Sequence, residues 1–382
     1  MRSAGYLPNN GLWDQRLGLV WIKKYIAGFH GDPGRVTYIG ESSGAASGFF
    51  HLHSKESLFS QLISMSGSSL VKAKQPESFE RFYKGTLQLL GADEATLSSE
   101  SAQVQHILSA SMADIRDKIA RNFPMGPVVD GEMIPQTTVY SQLDSPSSTA
   151  ELFPGTTWCK RILIGDCQMD GNAYAPRVSS RSDILPRTLA DHLHAKLDDI
   201  NPTLVPTVID GYGIDVDAIA NTSESTKAVL GLATDICFGF GARAFAKAWS
   251  ETGNESFLYR FNVPNPWDGP WKGHATHILD IAFVLQNYRD FLGEGQRKSG
   301  ERFTRDVITF VSGGAPWTKY RAEEPGAMVY DAKESGEADE SKFVGKDGEQ
   351  SGRREVLLKL TGQGVLDKVM EAWEGFMKGP RQ

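Results

Sequence analysis

The sequence predicts an α/β protein, a mostly parallel sheet flanked by helices, and three observations carry that prediction. Short β-favouring runs alternate with stretches of helical spacing, the pattern that yields parallel strands joined by helices. One such run, beginning at Arg35, passes at once into a sharp small-residue turn and then a helix. The 382 residues, 40% of them hydrophobic, can also bury a large core. At this length α/β chains commonly form one domain, so a single domain over 1–382 is expected.

Taken in order, Asn9-Asn10-Gly11 is a turn and cap signal, and residues 12–27 carry apolar side chains at helical spacing. Trp13, Leu17, Val20 and Trp21 fall on one side and Leu19, Ile22 and Ile26 on another, which predicts a helix buried on more than one side. Gly31-Asp32-Pro33-Gly34 turns the chain into a strand over 35–40, and a helix follows to about His53. A second strand, 61–65, ends at Ser66-Gly67-Ser68. Residues 76–148 read as polar-faced packing helices, with Phe79, Phe82, Leu87 and Leu90 at helical intervals. Lys160 to Gly165 is the next strand. Helical spacing with Pro and Gly breaks fills 183–250, then a strand over 256–261 leads into a Pro/Trp/Gly-rich loop through Trp267 and Trp271. A helix over 303–310, a short strand over 328–330 and a final helix over 365–377 complete the chain. The charged, hydrophobe-poor stretch 331–355 is expected to be a mobile loop without catalytic content.

Composition excludes several function classes. The net charge is −7 with both signs interspersed, so no nucleic-acid partner is expected. Cys159, Cys167 and Cys237 form no C-x-x-C pair and are expected to be buried thiols. No apolar run is long enough for a membrane span, and Met1 to Pro8 lacks the hydrophobic core of a signal peptide. No cofactor is expected either: Phe238-Gly239-Phe240-Gly241 follows no strand and lacks the third glycine of a nucleotide loop. His192 and His194 read as a solvated helix face, and His274 with His277 lacks a third metal ligand at suitable spacing.

The chemistry-bearing stretch is Gly40-Glu41-Ser42-Ser43-Gly44, the G-x-S-x-G pattern in a strand-turn-helix setting. Such a turn lifts the Ser42 hydroxyl clear of the sheet, and Gly40 and Gly44 are expected to prevent collisions where strand and helix meet. It also aims the amide N–H of Ser43, near the helix N-terminus, at the place where a substrate oxyanion would form. Ser47 falls inside the helix and is expected to bond back to a carbonyl. Beyond the strand 160–165 two carboxylates compete as the acid of a Ser-acid-His series: Asp166, directly after the strand, and Asp170, followed by Gly171. His274 and His277 compete as the base, on a loop late in the chain where this order of residues requires one.

Several blocks in sequence, Asn9 through Leu17, Phe29-His30-Gly31-Asp32-Pro33, Val36 through Ser47 and Ser66-Gly67-Ser68, resemble consecutive blocks of the type B carboxylesterases, the cholinesterase-like branch of the α/β-hydrolases. The resemblance implies an α/β-hydrolase fold with helical insertions, 183–250 being the cap-side region, and hydrolysis of small-molecule carboxylic esters. The family's acid directly precedes a glycine, which selects Asp170. Its histidine stands three residues before an acid and six before Phe-Val, which selects His277, with Asp280 and Phe283-Val284 at those offsets. Glu41 occupies the family's acidic position beside the nucleophile, with a structural hydrogen-bonding role weighed equally. Trp13, Trp267 and Trp271 are candidate wall residues against ordinary packing, and residues 127–135 resemble the family segment that precedes an entry to the substrate gorge, an entry that residues 124–126 are expected to line. The chain departs from the family at His30, usually Gly; at Ser43, usually Ala; and at Asp170, more often Glu and longer in reach. Nothing in residues 1–10 matches the family's glycine-rich oxyanion turn, so the chain is expected to be N-terminally incomplete, with an impaired or non-catalytic scaffold as the alternative function.

Overall fold

The computed structural model describes residues 5, 7–71, 73–120, 126–333, 335–349, 352–362 and 364–379. They divide into two compact units, residues 1–33 with 72–138 and residues 34–71 with 139–382.

The first unit contains the helices Asn10–Tyr25, Pro76–Leu89 and Glu100–Leu108. Asn9, in left-handed backbone, leads into the first of these. Its carboxamide nitrogen donates to Val128 O and Asp130 Oδ2, and its oxygen accepts from Val128 N, each at 2.8 Å. The expectation that this helix is buried on more than one side is overturned. Leu12 and Leu19 are buried, whereas Leu17 and Trp21 are 65% and 52% exposed. Apolar residues ring this helix, but only Leu12 and Leu19, an i, i+7 pair, are fully covered, with Trp13, Val20 and Ile22 half-buried. Of the suggested gorge entry, residues 124 and 125 lie outside the described residues.

The second unit is built on a six-stranded sheet: β1 Thr37–Glu41, β2 Gln61–Met65, β3 Arg161–Cys167, β4 Glu255–Phe261, β5 Ala327–Tyr330 and β6 Lys342–Val344. Spatial order follows chain order, with β1 to β5 parallel and β6 antiparallel. Registers align Gly40 with Ser64, Ser64 with Ile164 and Ile164 with Leu258. The C-terminal ends of the parallel strands therefore lie along one rim. β2 and β3 are buried almost throughout, as parallel strands covered on both faces must be. β1 stands at one end of the order, pairs only with β2 among the described residues, and leaves Ile39 46% exposed.

Helices flank the sheet. The small residues of Ser43–His51 let this helix approach closely: a Cβ on Gly48 would stand 2.7 Å from Leu62 Cδ1. Phe49 on the same helix meets Phe245 at 4.2 Å between ring centroids, and both rings are fully buried. Ser223–Glu251 is a 29-residue helix, apolar enough by length and composition to cross a membrane, but most of it is buried inside the fold. Residues Asp235–Gly239 within it form a π-helical turn. Cys159, Cys167 and Cys237 are buried free thiols.

The stretch 331–355 differs from the mobile loop expected of its composition. It supplies β6, and Glu349 within it is fully buried. Glu349 accepts from Arg243 Nε at 3.1 Å and Arg260 Nη2 at 3.3 Å. Composition misleads here because a charged residue counts as solvated in the sequence, whereas its opposite charge comes from strands and helices far away in the chain.

Candidate active site

Sequence dictates the geometry at Ser42 almost atom by atom. The residue sits between β1 and the helix Ser43–His51 with φ 54° and ψ −119°, a conformation L-residues rarely hold. Its amide donates to Met65 O on β2 at 2.9 Å and its carbonyl accepts from Ala46 N at 3.0 Å, so strand and helix together enforce the turn. A Cβ on Gly40 would lie 2.4 Å from Gly44 C and O, which makes glycine obligatory there. Gly44, expected to serve the same purpose, has open space where its Cβ would be. The second obligatory glycine is Gly67, whose Cβ would stand 2.3 Å from Ser42 O. Ser43 is the first residue of the helix, so its N–H belongs to the unsatisfied first turn. Ser47 Oγ donates to Ser43 O at 2.9 Å.

Three side chains distant in sequence meet beyond the strand ends. His277 Nε2 is 2.8 Å from Ser42 Oγ, and His277 Nδ1 is 2.7 Å from Asp170 Oδ1. Asp170 Oδ2 accepts from Cys167 N at 2.8 Å, which fixes the carboxylate against the end of β3. The turn Asp170–Tyr174 brings the shorter aspartate within reach of the imidazole. The histidine loop is fixed by a bridge between Met169 and Thr276 and by His277 N donating to Asn172 Oδ1 at 2.9 Å. Of the alternatives, Asp166 instead pairs with Arg354, and His274 lies 3.4 Å from Lys227 Nζ.

The electrostatics centre on His277. Burial alone would lower its pKa, but the hydrogen bond and charge of Asp170, with Glu41 and Asp280 behind them, raise it above the ordinary histidine value. Burial raises Asp170, with His277 pulling the other way. Glu41 Oε1 lies 3.5 Å from His277 Nε2, and burial pushes this carboxyl up to about 7. Asp280, fully buried, is pushed by burial up to about 6 and accepts from Tyr259 Oη at 2.6 Å. One imidazole thus faces three carboxyl groups, of which Asp170 alone makes a short contact with Nδ1. A basic nitrogen beside a hydroxyl, with its other nitrogen bonded to an acid, can draw a proton from that hydroxyl and return it to a leaving group.

Among the described residues no group of His, Cys, Asp and Glu is arranged to hold a metal ion. Trp13 lies in the first unit with Arg16 over its ring at 5.5 Å. Trp267 packs on the aromatic core beside β4 and meets Tyr288 at 5.4 Å. Trp271 faces His274 at 6.4 Å. Sequence reasoning missed Phe238, on the π-helical turn, whose ring lies 5.3 Å from that of His277. It also missed Thr234, whose Oγ1 accepts from Gly171 N at 2.8 Å and steadies the acid turn. A Cβ on Gly171 would come 2.0 Å from Leu230 O, so a glycine after the acid is required by the neighbouring helix.

Residues 5–336 match the carboxylesterase family. The esterase cest-33 of Caenorhabditis elegans is 25% identical over 350 residues, covering 83% of this chain and 60% of that protein. The cholinesterase of Mus musculus is 28% identical over 300 residues, covering 72% of this chain and 47% of that protein. The para-nitrobenzyl esterase of Bacillus subtilis (strain 168) is 25% identical over 355 residues, covering 87% and 65%. A solved PNB esterase structure aligns with a TM-score of 0.64 at 23% identity over 92% of this chain and 69% of that one, a likeness of α/β-hydrolase fold. The chain thus spans roughly half to two thirds of the length of these relatives.

Proposed function

The chain belongs to the carboxylesterase family, and from that premise we propose that it hydrolyses carboxylic esters through Ser42, His277 and Asp170. One observation carries the reading: the unbroken series from hydroxyl to imidazole to carboxylate, at 2.8 Å and 2.7 Å. Ser42 Oγ attacks the acyl carbon while His277 Nε2 takes its proton, and the carbonyl oxygen becomes an oxyanion met by the N–H of Ser43. His277 then gives that proton to the leaving alcohol as the C–O bond breaks, leaving an acyl-serine. Water, deprotonated by the same nitrogen, attacks the acyl-serine and frees the acid and Ser42. Asp170 holds the Nδ1–H tautomer and stabilises the imidazolium in each half-reaction.

Glu41 sits at the wall nearest Nε2, where its charge adds to that of Asp170 in favouring the imidazolium. The test is a fluorophosphonate probe, which forms a stable bond to an activated serine. Labelling of the native protein that disappears in Ser42→Ala and in His277→Ala supports the reading. A folded native protein that never labels refutes it.

A further inference from the structure

We propose that Arg353 is a positioning residue, reaching from the charged C-terminal segment to hold the loop 168–170 where Asp170 meets His277. The inference rests on the Ser42, His277 and Asp170 reading and extends it to a part of the chain with no contact to the reacting atoms. Arg353 Nη2 donates to Gln168 O at 2.5 Å, two residues before the acid, while Arg353 Nε donates to Asp235 Oδ2 at 2.8 Å. Asp235 is fully buried and begins the π-helical turn that carries Phe238 against the imidazole. One guanidinium therefore ties the acid loop to the element packed on the base.

The rest of the cluster makes this tie rigid. Arg354 pairs with Asp166 at the end of β3 and places Nε 3.3 Å from Asp235 Oδ1. Tyr212 Oη donates to Asp235 Oδ2 at 3.0 Å. The Arg354 guanidinium passes so close to Gly239 that a Cβ there would lie 2.9 Å from Arg354 Cζ, and glycine at the end of the π-turn is what admits it. The loop's other anchors are Gln168 N donating to Phe261 O, Met169 N to Ala275 O, Gly171 N to Thr234 Oγ1, Ala275 N to Gln168 Oε1 and Cys167 N to Asp170 Oδ2, none of them carrying a positive charge. Without Arg353, the Gln168 carbonyl loses a charge-assisted donor and the loop can swing about the remaining anchors. A carboxylate displaced by about an ångström no longer orients the imidazole productively.

Arg353→Met is the decisive variant, because Asp235 keeps Arg354 and Tyr212 as partners and is not left as an orphaned buried charge. Arg353→Lys restores a single cationic donor. The readout is NMR of His277 in the full chain, where the titrating groups facing the imidazole are Asp170, Glu41 and Asp280. With folding checked by near-ultraviolet circular dichroism, Arg353→Met is expected to weaken the low-field Nδ1–H resonance and lower the His277 pKa by roughly one unit, with Arg353→Lys lying between it and the native protein. For p-nitrophenyl acetate, kcat is expected to fall tenfold or more while KM stays within about twofold. An unchanged resonance and pKa in folded Arg353→Met overturns the inference, as does signal loss that only follows the unfolded fraction in both variants. A native protein that never labels at Ser42 refutes the esterase reading, while the imidazole resonance still decides this one.

Discussion

Replacing Gly40 by alanine sets a methyl group against backbone that has nowhere to go. The new Cβ would lie 2.4 Å from Gly44 C and O and 2.6 Å from Ala45 N, where carbon contacts ordinarily settle at about 3.5–4.0 Å. Those atoms form the first turn of the helix that carries Ser42, so relief requires strand and helix to part by about an ångström. Overpacking of this kind costs about 1–3 kcal/mol. Given about 2.1 cal/mol/K of unfolding entropy per residue over 382 residues, Tm drops by about 1–4 °C. Activity falls further, because displacing a reacting group by about 1 Å costs on the order of 100-fold in rate. Gly44→Ala is the control: its Cβ meets nothing within 4 Å, and alanine gains about 1 kcal/mol over glycine inside a helix. Turnover of p-nitrophenyl acetate and calorimetric melting measure both variants. Native kcat/KM in Gly40→Ala, or equal damage in Gly44→Ala, would refute the reasoning.

Asp170→Asn keeps the shape but presents the wrong hydrogen-bonding partner to Nδ1, and kcat for the same ester is expected to fall about 10⁴-fold in a folded protein. The base must be neutral to act, so kcat/KM declines as pH drops through a His277 pKa held above the ordinary value. Glu41→Gln removes a carboxyl 3.5 Å from Nε2 that is mostly ionised only above about pH 7, so the His277 pKa falls slightly and the acid limb of the pH–rate profile moves modestly to lower pH. Asp280 titrates at about 6 in the fold against about 3.9 when unfolded, so its stabilising share is complete below pH ~3.9 and drains as pH rises through about 6. Asp280→Asn, still an acceptor for Tyr259, should therefore melt above the native protein at pH 8, by up to about 3 kcal/mol of stability, and level with it near pH 4.

The sequence was most informative where structure is local. The run into Gly40, the lone serine and the small residues after it define the strand, turn and helix without reference to the rest of the chain, and β1 to β4 lie where the β-favouring runs predict them. Asp170 and His277 could not be chosen by such reasoning, since Asp166 and His274 satisfy the same local rule; spacing shared with a family separated them. Gly67, Phe238, Thr234 and Arg353 were invisible because each matters only through a partner far away in the chain. Gly44 misled because flanking glycines look symmetrical in the sequence, whereas only the one on the strand side meets backbone.

Ser42 follows directly on β1, one of the two edge strands of the sheet, which pairs only with β2 among the described residues. Edge strands are where a sheet frays first, since each amide there has fewer bonds to break before it opens. The Ser42 hydroxyl is thus tied to an edge of the sheet rather than to its fully buried centre. Loosening of β1 would carry the turn at Ser42 with it while β2 and β3, buried almost throughout, still hold.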